Sequence, residues 1–522
     1  MTLQTLLLFI LIIQVIHFAG TWKLYKLSGR KAWEALIPVY NAIVLMKIIN
    51  RSPWLTILLF IPIVNLIMFP VIWVETLRSF GKNSNTDTFL GLITFGLYIY
   101  YINYMQDVTY IKDRSLKPRT AAGEWTSSIL FAVIAATIVH TYVMQPFTIP
   151  TSSLEKTLLV GDFLFVSKFH FGARAPMSAV SFPMVHDTVP ILHKKSYFTK
   201  PQLPYFRIPG FQDIKRNDIV VFNWPADTLI DINNPRKGFK VKPLDKKSNY
   251  VKRCVGIPGD SLEVRDGYVF INGKQNELPD RAKLQFSYFV RTNGAINPQL
   301  LKDRYGITDR YNYNRENSVY AFAAITDESI NLLKNNPKVV EIIKIEDEKG
   351  KWNPSVFPHD PRFAWNTKFF GPLYIPKQGA TINIDIENIP IYKRIIEVYE
   401  GSELGINNKI TMSGTEVSLN GAPFTSYTFL QDYYWMMGDN RDNSQDARMW
   451  GFVPFNHVVG KPVFVWMSWD STANGIANKI RTERLFTTVG GKGKPVSYFI
   501  YFVVFVGIWF AFDFFRKKRK KA

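Results

Sequence analysis

A single cysteine, Cys254, stands in 522 residues, so no disulfide can form within the chain. A domain outside the cytoplasm must therefore be held by its apolar core alone. Histidine is also scarce: there are seven, with no H-E-x-x-H and no C-x-x-C, and no metal-site signature is present. Acidic residues are a minority, 42 Asp and Glu against 63 Lys and Arg, leaving a net charge of +21. Those positive charges do not gather around a nucleic-acid-reading module, which argues for a membrane rather than a nucleic acid as the partner. Neither a repeat of fixed period nor a low-complexity segment is found between Gln145 and Lys494.

Long apolar runs, by contrast, are plentiful. Five segments read as spans: Leu3–Ala19, Trp54–Val74, Phe89–Tyr104, Ser127–Met144 and Ser497–Phe515. No Lys or Arg precedes the first, so it reads as a retained anchor rather than a signal peptide. Residues 33–46, broken by Pro38 and Asn41, read as re-entrant or interfacial. Basic residues follow the first span (Lys23, Lys26, Arg30, Lys31, Lys47, Arg51) and precede the fourth (Lys112, Arg114, Lys117, Arg119). They also fill the tail, Arg516–Lys521. With five spans all three groups share one side, which the positive-inside rule makes cytoplasmic. The segment 145–496 is then extracytoplasmic.

That segment lacks helical period. Short runs rich in Val, Ile, Phe and Tyr, such as DIVVFNW, GYVFING and PVFVWMSW, alternate with Gly, Pro, Asn and Asp. This predicts a mostly β domain. The expected plan is a multi-span region over 1–126 and an anchor over 127–144. A catalytic domain follows in two parts, 145–264 and 431–496, interrupted by an inserted β-rich subdomain at 265–430. A C-terminal helix and basic tail close the chain at 497–522.

Two segments carry candidate chemistry. QPFTIPTSSLEKTLLVGD (Gln145–Asp162) offers serines in a proline-led loop just past an apolar span. NYVKRCVGIPGDSLEV (Asn249–Val264) offers Lys252 in an apolar, strand-like run. A lysine is almost wholly protonated at pH 7, but burial among Val251, Val255 and Ile257 disfavours the charge and frees an amine to act as base. Serine plus desolvated lysine is a nucleophile and base that need no histidine. Asp439, Asp442 and Asp162 read as turn residues, since the calcium-loop spacing is incomplete.

In order, PFTIPTSSLEKTLLVGDFLFVSKF, YVKRCVGIPGD and MMGDNRDNSQDARMWGFVP resemble the motif set of bacterial type I signal peptidases. The resemblance spans roughly residues 128–264 and 430–470; the N-terminal spans, the long insertion and the C-terminal span are not part of the common pattern. It implies a signal-peptidase-like β fold with an inserted β subdomain, anchored by transmembrane helices in the bacterial inner membrane. It further implies cleavage of signal-peptide-bearing preproteins at the membrane lipid surface by a Ser/Lys dyad, with no cofactor, no metal and no nucleic acid.

Carried over by position, Ser153 is the nucleophile and Lys252 the base. Thr151 falls where a serine hydroxyl lines the oxyanion hole. Ser444 matches a serine that hydrogen-bonds and orients the lysine amine. Asp446 and Arg448 match a structural salt bridge, and Arg253 pairs with a carboxylate or backbone. Phe147, Ile149, Leu158, Tyr250 and Val251 match residues lining shallow pockets for small side chains. Ser152 replaces a usual glycine, and Lys156 a usual proline. The latter creates an S-x-x-K string, but the S-D-N and K-T-G motifs of penicillin-recognising transpeptidases are missing. A Ser/Lys protease for other exported precursors and a non-catalytic membrane assembly factor are the alternative readings. Ser153 lies about nine residues beyond Met144, hence within about 30 Å of the membrane. In a preprotein-cleavage assay Ser153→Ala should abolish turnover with the fold intact, whereas Ser152→Ala should retain substantial activity; the opposite pattern overturns the assignment.

Overall fold

The computed structural model describes residues 2–118, 120–227, 241–473 and 475–521, so Arg119 of the basic loop lies outside the described residues. The chain divides into two compact units. One comprises Met1–Val143 with Arg174–Ile208 and Lys242–Lys246; the other comprises Met144–Ala173, Pro209–Val241 and Lys247–Ala522.

The first unit is helical over its N-terminal part: α1 (Leu3–Leu27), α2 (Tyr40–Ile48), α3 (Val64–Ser79), α4 (Asn85–Ile93), α5 (Tyr98–Met105) and α6 (Ala121–Ile138). Among the described residues, three helices are long and apolar enough to cross a membrane: Leu3–Leu27, Ala121–Val143 and Phe499–Arg519. The other two expected spans are not continuous helices. Residues 54–74 begin in a 3-10 helix, Pro53–Phe60, and break at Ile61–Pro62–Ile63 before α3. Pro62 disfavours helical backbone at the residue before it. Ile61 is accordingly extended, and Ile63 turns into the left-handed region with φ 71°. Arg51, before this break, lies 3.5 Å from Glu75, after it, so the segment doubles back on itself. Residues 89–104 are likewise divided between α4 and α5 at Phe95 and Gly96, both with positive φ.

The turn at this break has a counterpart earlier in the chain. Trp33 and Trp54 each precede a Pro-Val/Ile-x-Asn turn, at Pro38–Asn41 and Pro62–Asn65. Val39 (φ 67°) and Ile63 each form the N-cap of the helix that follows. α2 and α3 share a core that includes Val44, Ile48, Ile72 and Leu77, closed by Leu24 and Tyr25 of α1.

The second unit is built on an antiparallel sheet. Its strand order is β1 (Met144–Thr148), β2 (Asp162–Ser167), Val458–Ser468, β3 (Ile219–Asn223), β4 (Asn249–Gly256), Tyr433–Met437 and Val453–Pro454. The mostly β expectation is met. The tract 265–430, however, is not a single subdomain. Strands Gln285–Thr292, Tyr311–Asn314, Val319–Thr326 and Val339–Lys344 form a separate sheet with its own core around Phe286, Leu301 and Phe322. Beyond it, Phe370–Tyr374 returns to pair with Ser261–Arg265. One large core then joins Val255, Leu262, Phe370, Ile395, Trp435 and Phe452 from both sides of the insertion.

Trp435 is fully buried at the centre of that core, its ring centroid 5.2 Å from Phe370 and 5.4 Å from Phe452. Trp435→Ala should cost about 3–5 kcal/mol, read as a loss of melting temperature. Because the indole N–H has no partner, Trp435→Phe should cost far less; equal losses for both variants contradict this packing.

Candidate active site

The site is made by one loop and one strand. Between β1 and β2 the chain turns through Pro150 into a single 3-10 turn, Ser152–Leu154, with Thr151 at its N-cap. Two groups close this loop from behind. Asp162 accepts from Leu159 N–H at 2.8 Å, from Ser468 Oγ at 2.7 Å and from Arg484 Nε at 2.9 Å. Gly161, at φ 88°, passes so close to the Trp469 carbonyl that a Cβ would lie 1.9 Å from it. Asp162 is therefore a fully buried tie between strands and not only a turn residue.

Strand alternation on β4 sends Tyr250, Lys252 and Cys254 to one face and Val251, Arg253 and Val255 to the other. Lys252 is 3 % exposed and Ser153 6 % exposed. The Lys252 Nζ donates to Ser153 Oγ at 2.6 Å, across 99 residues of sequence. Burial pushes the Lys252 ammonium down to about 8, against the opposing pull of the Asp446 and Asp439 carboxylates. Its ammonium also stands 5.5 Å from the Tyr250 ring centroid.

Two buried ion pairs flank this pair. Arg253 forks onto Asp439, Nε to Oδ1 at 2.7 Å and Nη2 to Oδ2 at 2.6 Å, and donates from Nη1 to the Asn217 carbonyl. Thr157 Oγ1 adds a third bond to Asp439 at 2.7 Å. Arg448 forks onto Asp446 at 2.9 and 2.8 Å, and Gly438 N–H donates to the same carboxylate. Burial alone raises the Asp446 carboxyl; Arg448 outweighs it and holds the group below its ordinary value. Asp439 likewise stays ionised through Arg253. Asp442 accepts from Lys368 Nζ at 2.6 Å and Ser287 N–H at 2.7 Å. Asp439 and Asp442 are thus ion-pair partners and not merely turn formers.

Ser444 departs from its expected bond. Its hydroxyl is buried without a partner and does not donate to Lys252. It packs instead against Gly438, where a Cβ would lie 2.3 Å from Ser444 Oγ and 2.5 Å from the Ser153 carbonyl. Thr151 is exposed at the loop entrance. Phe147, Ile149, Leu158 and Val251 share one apolar cluster with Leu154, the residue after Ser153. Tyr250 lies instead on the Lys252 face of β4, among Trp224, Trp450 and Phe222. Lys156, in the left-handed region at φ 71°, donates to the Gly306 carbonyl and to Thr308 Oγ1.

Several contacts carry no signal in the sequence. Asn440 N–H donates to the Ser153 carbonyl at 3.2 Å, and Asn440 Nδ2 to the Ser152 carbonyl at 3.2 Å. Asn443 Nδ2 donates to Ser152 Oγ at 3.1 Å. Both asparagine amides also converge on Asp309 Oδ2, at 2.7 and 2.9 Å. Thr308 Oγ1 donates to the buried Glu155 carboxylate at 2.9 Å. The inserted tract thus reaches the Ser152–Glu155 loop directly through Thr308, 153 positions away in sequence, and indirectly from Asp309 through Asn440 and Asn443.

The model for the family described as signal peptidase, peptidase S26, matches residues 122–319 and 375–469. The chain belongs to this family of serine peptidases. Among similar proteins are the signal peptidase I of Buchnera aphidicola subsp. Schizaphis graminum, 26% identical over 69% of this chain and 79% of its own, and that of Haemophilus influenzae, 25% identical over 72% and 78%. That of Helicobacter pylori is 25% identical over 71% and 94%. Residues 33–113 match a separate family of unknown function (DUF5684).

An amine titrating near 8 is roughly a tenth neutral at pH 7. If it activates Ser153, kcat/KM should rise about tenfold per pH unit from pH 6 and level off above about 8. A profile flat between pH 6 and 9 contradicts this assignment.

Proposed function

We propose that this chain is a membrane-anchored signal peptidase that removes N-terminal signal peptides from exported preproteins by a Ser153/Lys252 dyad. The observation that carries the reading is the 2.6 Å bond between a fully desolvated lysine amine and a serine hydroxyl in the family's nucleophile loop. In its neutral form the amine takes the Ser153 proton as Oγ attacks the scissile carbonyl. The same proton then goes to the departing amine of the mature chain, leaving an acyl-enzyme on Ser153. A water deprotonated by Lys252 hydrolyses that ester. Thr151, exposed at the loop entrance, supplies a hydroxyl for the oxyanion. Arg253, Asp446 and Arg448 hold the walls of the site, and Ser444 fills the space beside Ser153. The apolar side chains of Phe147 and Val251, beside Ile149 and Leu158, suit the small residues that precede a signal cleavage site.

The enzyme resides in the bacterial cytoplasmic membrane and works against its lipid surface. Three spans make the charge pattern simpler than five do. The basic residues from Arg30 to Arg119 then lie between the first two spans, and Arg516–Lys521 forms the C-terminal end of the third. Both groups fall on the cytoplasmic side, which leaves 145–496 outside.

The test is cleavage of a model preprotein, alongside a panel of other exported precursors, by the full chain in detergent or vesicles. Lys252→Ala should lose about 10²–10⁴ in turnover, and Lys156→Ala should be mild. An inactive Lys156→Ala with an active Lys252→Ala would refute the dyad, and preference for another precursor class would move the substrate assignment.

A further inference from the structure

Glu75 on α3 is met by three arginines, none of which belongs to the peptidase motifs. Arg51 Nη2 lies 3.5 Å from Glu75 Oε2, Arg78 Nη1 lies 3.9 Å from Oε1, and Arg114 Nη2 bonds Oε2 directly. One carboxylate cannot neutralise three guanidinium groups, so the cluster keeps a surplus of two positive charges. Lys112 and Asp113, both exposed beside Arg114, cancel each other. The Glu75 and Arg114 side chains are 10 % and 8 % exposed, while Arg51 and Arg78 are 34 % and 40 % exposed. The arrangement is a buried floor with two open arms.

The floor is incompletely satisfied. Arg114 Nη2 also donates to the Ile49 carbonyl at 3.3 Å, but its Nε is buried with no partner. A buried, charged donor without an acceptor is a standing demand for an anion. The loop that carries it is pinned in place: Tyr110 Oη donates to the Ile48 carbonyl at 3.0 Å, and Asn50 Nδ2 bonds the Lys112 carbonyl. The surroundings fit a lipid. Trp54, three residues after Arg51, is 79 % exposed, and indole side chains favour the headgroup level of a bilayer.

We propose that Arg51, Arg78 and Arg114, arranged around Glu75, form a binding site for a phosphate group, supplied by the headgroup of an anionic phospholipid. This site goes beyond the peptidase reading and does not rest on it. Glu75 holds the guanidinium groups apart and occupies one of their bonding faces; the phosphate oxygens take the rest in forked pairs.

The test uses the detergent-solubilised full chain, with native mass spectrometry and thermal melting as readouts. Three probes are compared: phosphatidylglycerol, phosphatidylcholine and inorganic phosphate. Phosphatidylglycerol should bind at least tenfold more tightly than phosphatidylcholine and raise the melting temperature. Arg51→Gln and Arg78→Gln, at partly exposed positions, should keep the apo melting temperature and lose at least fivefold in that affinity. Glu75→Gln removes the internal competitor and should bind phosphatidylglycerol several-fold more tightly, even if its apo form melts lower. Saturation by inorganic phosphate without selectivity for phosphatidylglycerol upholds the site and makes its source soluble. Equal binding of both lipids, unchanged in the two arginine variants, overturns the proposal, as does a Glu75→Gln protein that only melts lower.

Discussion

The catalytic unit depends on keeping an ammonium group out of water. Moving the charged Lys252 into the interior carries a desolvation cost, and burial lowers its proton affinity against the pull of the nearby carboxylates. Neither nearby carboxylate is free to neutralise it. Asp439 and Asp446 are each saturated by an arginine fork, Arg253 and Arg448. If either arginine were lost, a buried anion would be released beside the amine, and the amine would regain its proton. The two ion pairs therefore bear on the protonation of Lys252 through charge balance.

The insertion takes part in the same balance. Gln285, on its first strand, exchanges backbone bonds with Asp439 and Arg441, so the loop bearing Asp439 is fixed to the inserted sheet. Asp309 gathers Asn440 and Asn443, which in turn hold the backbone and side chain of Ser152 and the carbonyl of Ser153. A nucleophile loop one helical turn long has few bonds of its own. Its geometry is set by these neighbours. Lys156 occupies a left-handed conformation that is costly for a side-chain-bearing residue, and its ammonium bonds to Gly306 and Thr308 compensate.

The membrane-attached unit obeys a different constraint. Its short helices are broken at residues with positive φ, and the segment 51–75 folds back on itself. Hydropathy windows count apolar residues and do not register direction, so Trp54–Val74 reads as a span. The Arg51–Glu75 contact reveals that its two ends lie together.

By itself the sequence determined the mostly β class of the second unit and the order of its motifs; Ser153 and Lys252 are a candidate pair through the family resemblance. These are properties of local pattern: period-two apolar runs, turn residues, and a motif spacing long enough to be specific. The fork partner of Arg253 was legible only as a carboxylate or backbone group of unknown position. Tertiary structure alone decided four things. These are the placement of Tyr250 on the Lys252 face of β4 and away from Val251, the unbonded hydroxyl of Ser444, the division of 265–430 between a separate sheet and the main core, and the reach of Thr308 to Glu155 and of Asp309 to Asn440 and Asn443. Each depends on which segments distant in the chain come to share a surface. No local periodicity encodes that, because a hydrogen bond between Asn443 and Asp309 leaves the same polar residues in sequence whether it forms or not.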